Sequence, residues 1–404
     1  MITINFTKKI TLLAIFFIIT TDLTAAEKDG ITLDSTYLSG KDSQNYSYST
    51  FNYEWLRAGS RIADKISTNY VSESYRWLYY PATALTNQLI YASAETTYHE
   101  WGHYSRANAL GVNNNALYPC DVGTKCDSYS SFFGLLSGRP TGGAYTTIGS
   151  NNYVGNSSSG PSLEAIVSGG GVNNQAYVTE KMDEALFLKE QSSLFQLPSM
   201  ISNRLSIWSY GDTEDGKGDI NIIAKNYKSS GLDDSSSASK LIKINTYSLL
   251  SGSTASGLLG IYNYLSNGTT TYKALSFYGF RIPDQNNYIS SRGITRKISS
   301  GYEYSKDFKI IFGYEYVVKG QDFKEYEIGI YKKFKEWDLY LKSIIGDKNS
   351  INGLVTVSKQ IGDNFKVTLN NYMWDSRSLM GERNSLKLSK DKTYQTTIGI
   401  SYTY

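Results

Sequence analysis

Residues 308–318, FKIIFGYEYVV, alternate strictly in polarity. The even positions Phe308, Ile310, Phe312, Tyr314, Tyr316 and Val318 are apolar, and Lys309, Gly313 and Glu315 stand on the opposite face. A period of two marks a strand whose two faces meet different surroundings. The pattern repeats on both sides. On 323–334 Tyr326, Ile328 and Ile330 oppose Glu325, Glu327 and Lys333, and on 337–345 Trp337, Leu339, Leu341 and Ile345 oppose Asp338 and Lys342. Similar runs lie near 294–304, 353–361 and 364–374, joined by hairpin-type turns such as Ser305-Lys306-Asp307 and Gly362-Asp363-Asn364. The pattern predicts an antiparallel sheet over 269–404.

A soluble sandwich also alternates. Three features favour a transmembrane barrel instead. Tyrosine supplies 35 of 404 residues, enough for aromatic girdles at two membrane interfaces. The amino terminus carries an export signal, described below. The chain ends in YQTTIGISYTY (394–404), with Ile398, Ile400, Tyr402 and Tyr404 on one face. That ending resembles the terminal strand of bacterial outer-membrane proteins, whose last aromatic is read by the barrel-assembly machinery, with Tyr here where Phe is commoner. The resemblance implies an antiparallel barrel in contact with outer-membrane lipid; seven or eight strands are countable after residue 269, and the expected total is an even number between eight and twelve. Ile31–Leu38 and Tyr46–Tyr53 are candidates for one or two of them. Gly301, Gly313, Gly329 and Gly399 fall on the polar, inward face. Either something approaches them closely, as in a filled lumen, or they serve strand curvature.

Met1–Ala26 reads as a secretory signal peptide, with Lys8 and Lys9, an apolar core from Ile10 to Ile19, and Thr24-Ala25-Ala26 at the cleavage position. The formal charge of +3 falls by one when Lys8, Lys9 and Asp22 leave, too mild a balance to argue for nucleic acid. In an oxidising compartment Cys120 and Cys126 are expected to close a small disulfide loop; the other reading makes them two thiolate ligands of a metal.

The chemistry is concentrated in Tyr98–Val112, YHEWGHYSRANALGV, which holds both histidines of the chain. His99 and His103 flank Glu100 in an H-E-x-x-H pattern. On a helix that spacing puts two imidazoles one turn apart, as two ligands of a zinc ion. Two scattered histidines would fall four apart about once in two hundred sequences of this length. Glu100 stands where it can take a proton from a water that zinc activates. Glu95, one turn earlier, is either the acceptor for the free ring N–H of His99 or an ordinary solvated residue. Arg106, on the face of His103, is a candidate to bind a substrate carboxylate or steady an oxyanion.

With no third histidine, a carboxylate is expected to complete the site. Glu164, in PSLEAIVSGGGVNN, stands alone in a stretch almost free of charge. An isolated buried carboxylate needs a cation, and a metal supplies one; the plainer reading is a cap on the first helical turn. Ser168 and Gly171 on the same face are small enough to let this helix press against the motif helix. The arrangement resembles the glutamate-type zincins, which follow H-E-x-x-H with a Glu on a later helix. HEWGHYSRANALGV also resembles the H-E-x-G-H-x-x-x-A-x-x-x-G-V stretch of site-2-type intramembrane proteases, at His99, Glu100, Gly102, His103, Ala107, Gly111 and Val112. That family takes its third ligand from an Asp; Asp284, in Pro283-Asp284-Gln285, is the nearest counterpart, without the Asn and Gly of the family's motif.

The expected organisation is α+β: a signal peptide over 1–26, an N-terminal segment over 27–60 able to add strands, a helical zincin-like block over 61–268, and an outer-membrane β-barrel over 269–404. Expected helices are Ala82–Leu110, Ser162–Leu188, Gly218–Ser229 and Ala238–Tyr264, with the Gly/Ser/Asn-rich loop 140–160 as a lid or a linker. Together these features lead to an outer-membrane zinc metallopeptidase acting on protein or peptide. The alternative is a barrel for transport, structure or metal binding whose zinc site does not catalyse.

Overall fold

The computed structural model describes residues 30–34, 45–112, 116–118, 145–147, 163–188, 191–210, 218–232, 234, 236–385 and 387–403. The signal peptide, Cys120, Cys126, most of the 140–160 loop and Tyr404 lie outside them. Strand β1 (Gly30–Asp34) precedes two long helices, α1 (Asn45–Tyr70) and α2 (Arg76–Ala109). A short hairpin of β2 (Ala116–Tyr118) and β3 (Tyr145–Thr147) leads to α3 (Leu163–Ser168) and α4 (Gly170–Leu188). After β4 (Ser192–Ser193) come α5 (Leu197–Arg204), α6 (Ser206–Ser209), α7 (Asp219–Ser229), α8 (Ala238–Thr246) and α9 (Gly252–Asn267). The short strands β5 (Thr271–Tyr272), β6 (Ser276–Phe277) and β7 (Phe280–Arg281) open the strand-rich part. It continues through β8 (Asp284–Ser290), β9 (Gly293–Ser305), β10 (Phe308–Gly320), β11 (Lys324–Phe334) and β12 (Trp337–Gly346). Last come β13 (Ser350–Ile361), β14 (Phe365–Asp375), the one-turn helix α10 (Leu379–Asn384) and β15 (Lys392–Thr403).

The molecule is α+β, with one large antiparallel sheet of eleven strands. Its order is β1-β15-β14-β13-β12-β11-β10-β9-β7-β6, and β8 also pairs with β9. Among the described residues this path is open from β1 to β6. The alternating runs of the sequence became β9 to β14 within a few residues. Among the described residues no helix is long and apolar enough to cross a membrane.

The sheet is inside out by the standard of a water-soluble protein. Lys309, Glu315, Glu325, Glu327 and Lys342 are buried, while Phe312, Tyr326, Ile328, Ile330, Leu341 and Ile345 are exposed. The charged face is covered by α4, sixteen of whose nineteen residues are buried. A helix surrounded on all sides packs protein all round. Tyr177 and Ala176 of α4 meet Tyr288, Ile344, Leu354 and Trp374 of the sheet. A Cβ at Gly301 would lie 2.5 Å from the Phe187 ring of α4, so this inward glycine makes room for the helix. At Gly313 and Gly329 the crowding comes from strand neighbours, Glu327 and Tyr340.

Ion pairs tie α4 to the strands. Lys297 bridges Glu180 of α4 at 2.7 Å and Glu327 of β11 at 2.6 Å, and Lys342 reaches Glu327 at 3.2 Å. Lys342 also pairs with Glu184. Glu180, Glu184 and Glu327 lie close enough to hold an ion, but Lys297, Lys342 and, at 3.7 Å from Glu184, Lys181 already pair with them. Breaking a buried pair by removing one partner is costly. Lys297→Met is expected to destabilise the protein by about 3–5 kcal/mol, measured by denaturant unfolding.

Two expectations about elements need correction. Tyr46–Tyr53 is helix, not strand, so the helical part begins before residue 61. Among the described residues of α1, Ser49, Tyr53, Leu56, Ser60, Ala63 and Ser67 form one buried row at a helical spacing of alternating four and three, with Ala58 buried beside it. Half of that row is serine, which hides the stripe from a hydrophobicity reading. The single helix expected over Ala238–Tyr264 is broken at Tyr247–Leu249 into α8 and α9. Ser251 there accepts from the Gln285 backbone and from Arg204, tying the break to β8.

Candidate metal centre

Helix α2 delivers His99 and His103 to the interior, where both are buried. The sequence permits this because glycines face each other across the crossing of α2 and α4. A Cβ at Gly102 would lie 2.2 Å from the Gly170 carbonyl oxygen, and one at Gly171 would lie 2.4 Å from His99 Nε2. The expected close approach at Gly171 is therefore present.

Each imidazole is held by its Nδ1. His103 Nδ1 donates to the Val167 carbonyl at 2.8 Å, and His99 Nδ1 donates to Gln175 Oε1 at 3.2 Å. Gln175 shows its oxygen to the ring because its Nε2 donates to Glu95 at 2.6 Å. Both Nε2 lone pairs are thus left facing inward, 3.1 Å apart. The third group there is Asp219, at the first turn of α7. Its Oδ2 lies 2.9 Å from His99 Nε2 and 3.3 Å from His103 Nε2.

Two imidazole lone pairs and a carboxylate oxygen at such distances need a cation between them. Burial disfavours charge on His103, yet the charge and hydrogen bond of Asp219 lift it to about 9. Burial also works against ionised Asp219, but the two imidazoles hold it well below the usual carboxylate range. A proton is the least the trio requires, and a metal ion satisfies all three atoms. Tetrahedral zinc with bonds of about 2.0–2.1 Å separates its ligand atoms by about 3.3–3.4 Å, which His103 and Asp219 meet at 3.3 Å and the other two separations, 2.9 and 3.1 Å, fall short of by a few tenths. Asp219 keeps 25% of its side chain exposed, so one side of the trio is open.

Glu100 is positioned by the β2–β3 hairpin: Thr146 Oγ1 donates to its Oε2 at 2.7 Å. Glu95 does not bond His99 directly. It is the next link, accepting from Gln175 and from Ser202, and burial lifts its carboxyl above the ordinary range despite those bonds. Tyr210 stacks on His99, with ring centroids 3.9 Å apart and planes 14° apart.

Three expected participants lie elsewhere. Glu164 is exposed on α3 and outside the trio, as a residue of a first helical turn. Its backbone neighbours, not its carboxylate, serve the site, through the Val167 carbonyl. Arg106 is buried and donates to the carbonyls of Glu382 and Ser385, so it braces α10. Asp284 is fully buried, pairs with Arg281 and accepts from the Ser253 backbone. Asp219 was missed. It continues the buried stripe Ile220, Ile223, Ala224 and Tyr227 of an amphipathic helix, a placement unusual for a carboxylate and legible in principle.

No family model, curated protein or solved structure matches this chain. The class is therefore defined by fold and site alone: an α+β protein with an inverted antiparallel sheet and a buried His-His-Asp trio on an H-E-x-x-H helix.

Gly171→Ala tests the geometry. Its Cβ would push the His99 ring off its axis, so zinc affinity is expected to fall by about 10–100-fold, as for lost outer support of a ligand. Titration with a competing chelator measures it.

Proposed function

We propose that this chain is a zinc metallopeptidase of the bacterial outer membrane. The convergence of His99 Nε2, His103 Nε2 and Asp219 Oδ2 within 3.3 Å, beside Glu100, carries the reading. Two imidazoles and an Asp are the donor set expected from the site-2-type resemblance, although the Asp comes from α7. Bound there, zinc would acidify a water and polarise a carbonyl. Glu100 takes the proton of that water and returns it to the leaving amine. Thr146 holds the carboxylate in place, and Gln175 and the Val167 carbonyl keep each imidazole in the tautomer that offers Nε2.

The sheet supports the membrane placement. Its exposed face is aliphatic in the middle, with Ile328, Ile330, Leu341 and Ile398, and aromatic towards both rims. Phe334 pairs with Trp337 and Phe365 with Tyr402 at one rim, and Tyr314 with Tyr326 near the other. That is the layout of a lipid-facing barrel wall. The covered, ion-paired inner face argues against an open transport pore.

One observation favours a second reading, a metal-binding protein without catalysis. Arg106 is committed to backbone carbonyls, which takes away the cation that the motif helix would offer an oxyanion. Purified protein assayed for zinc content and for cleavage of an unfolded protein such as casein tests the proposal. Zinc near one per chain with cleavage is expected; zinc without cleavage leaves only the binder. The protein should also fractionate with outer membranes and run heat-modifiably on gels, and deleting Tyr394–Tyr404 should abolish its assembly. Recovery in the soluble periplasmic fraction would overturn the membrane placement.

A further inference from the structure

The apolar side of the sheet does not stop at its last long strand. Phe280 of β7 pairs with Tyr302 of β9, with ring centroids 4.6 Å apart, and Phe277 of β6 pairs with Phe280 in turn. Tyr302 stands opposite Ile310, on the same side as Phe312, so the exposed Phe277 and Phe280 extend that side. Helix α9 follows directly and covers the edge. Gly252 N donates to the Pro283 carbonyl at 2.9 Å, and the Leu275 N–H donates to Ser256 Oγ at 2.9 Å. Beyond it comes α2, whose Tyr80 ring lies 6.1 Å from that of Tyr264.

These helices are inverted in the same way as the sheet. Gly252, Ser253, Ser256, Gly257 and Gly260 of α9 are buried, while Leu258, Leu259, Tyr262 and Leu265 are exposed. A helix packed in water does the reverse. Small inner residues let helices approach closely in a membrane: a Cβ at Gly257 would lie 2.4 Å from Leu197, and one at Gly260 would lie 2.9 Å from Tyr272. In α2 the exposed Trp77, Leu78, Pro81, Ala82 and Leu85 form a second stripe. Residues 77–94 and 244–272 contain no Asp, Glu, Lys or Arg. Between Leu258 and Ile261 of α9 and Leu197, Ile201 and Leu205 lies a hollow of about 430 Å³ with no charged residue in its lining.

Resting on the membrane placement proposed above, we propose that the outer faces of α9 and of the first half of α2 lie against lipid acyl chains, which fill the hollow. The wall in the bilayer is then part sheet and part helix. Two arguments select lipid over a protein partner. An open sheet edge is not tolerated in hydrocarbon, and α9 takes up the polar backbone groups beside β6 and β7. Docking faces for proteins have a polar rim and are enriched in Arg, whereas these stripes carry no charge and continue a face of Phe and Ile. Neither helix is apolar enough to span alone, because its other face packs on protein.

The test places benzoylphenylalanine singly at Leu85, Leu258, Tyr262, Ile328 or Asp363 of the full chain, in cells fed radiolabelled fatty acid. Leu85 and Leu258 are 61% and 56% exposed, so the replacements burden folding little, and heat-modifiability checks assembly. After irradiation of outer membranes, labelled acyl adducts are expected at Leu85, Leu258 and Tyr262 at about the level of Ile328 on the sheet, with Asp363 in its turn at background. Acyl adducts at Ile328 alone would overturn the proposal and leave the membrane placement standing. Adducts to another protein at the helical positions would make this a docking face and overturn it too. No acyl adduct anywhere removes both. As a second arm, Leu258→Arg is expected to lower the folding equilibrium constant in lipid vesicles at least about tenfold, the cost of a charge on a lipid-facing wall. On a water-facing surface the same change would be nearly neutral, and that result would also overturn the proposal.

Discussion

Glu100→Gln is expected to lower peptide-bond hydrolysis by about 10²–10⁴ while zinc stays bound at close to one per chain. The substitution keeps the size of the side chain and a hydrogen-bonding carbonyl oxygen for Thr146, which donates to Glu100 Oε2. What disappears is the carboxylate proposed to take the proton of the attacking water. The three candidate ligand atoms belong to other residues, and their supports, Gln175 and the Val167 carbonyl, do not touch Glu100. Metal content by elemental analysis and kcat/KM on one peptide, measured on the same preparation, therefore separate catalysis from binding. Equal inactivity of wild type and variant on every unfolded substrate, with zinc present in both, would leave a metal-binding protein. A fall in zinc with the fall in rate would mean that Glu100 is a ligand and not a base.

The strands were legible because their two faces meet opposite surroundings. Phe312 and Ile328 outside and Glu315 and Glu327 inside give a period-two signal over many residues, and turns such as Ser305-Lys306-Asp307 and Gly362-Asp363-Asn364 punctuate it. The helix α4 was legible as helix, but its partners were not. With Asn173, Gln175, Glu180 and Asp183 all buried, it has no solvent face for periodicity to reveal. Helix α1 failed for the related reason that serine fills half of its buried seam.

At the site, the two histidines and Glu100 were readable because their spacing along one helix is itself the geometry. Everything supplied by other segments was harder. Glu164 was attractive for its isolation, but isolation in sequence says nothing about burial, and an exposed carboxylate needs no cation. Arg106 shares the His103 side of α2 in a helical projection, yet the packing of α10 claims its guanidinium. Tyr210 and Asp219 lie far along the chain from His99 and reach it only through the tertiary fold.

Asp219→Ala is accordingly expected to remove zinc, with a loss of affinity beyond the ~10–100-fold that a missing outer-shell partner costs. A catalytic zinc site commonly has three protein ligands, and two imidazoles alone hold the ion weakly. The fold should survive, because Asp219 keeps a quarter of its side chain exposed (25%) and the α7 stripe of Ile220, Ile223 and Tyr227 remains buried. Circular dichroism and heat-modifiability check that point. Glu164→Ala should leave zinc unchanged, since that side chain lies outside the trio, and Asp284→Asn should unsettle the Arg281 pair rather than the metal. Zinc retained by Asp219→Ala but lost from Glu164→Ala would reverse the assignment. Asp219→Glu is a finer probe. Its extra methylene carries the carboxylate into a space where the ligand atoms already stand within 3.3 Å, so it should bind zinc more weakly than wild type and more tightly than Asp219→Ala.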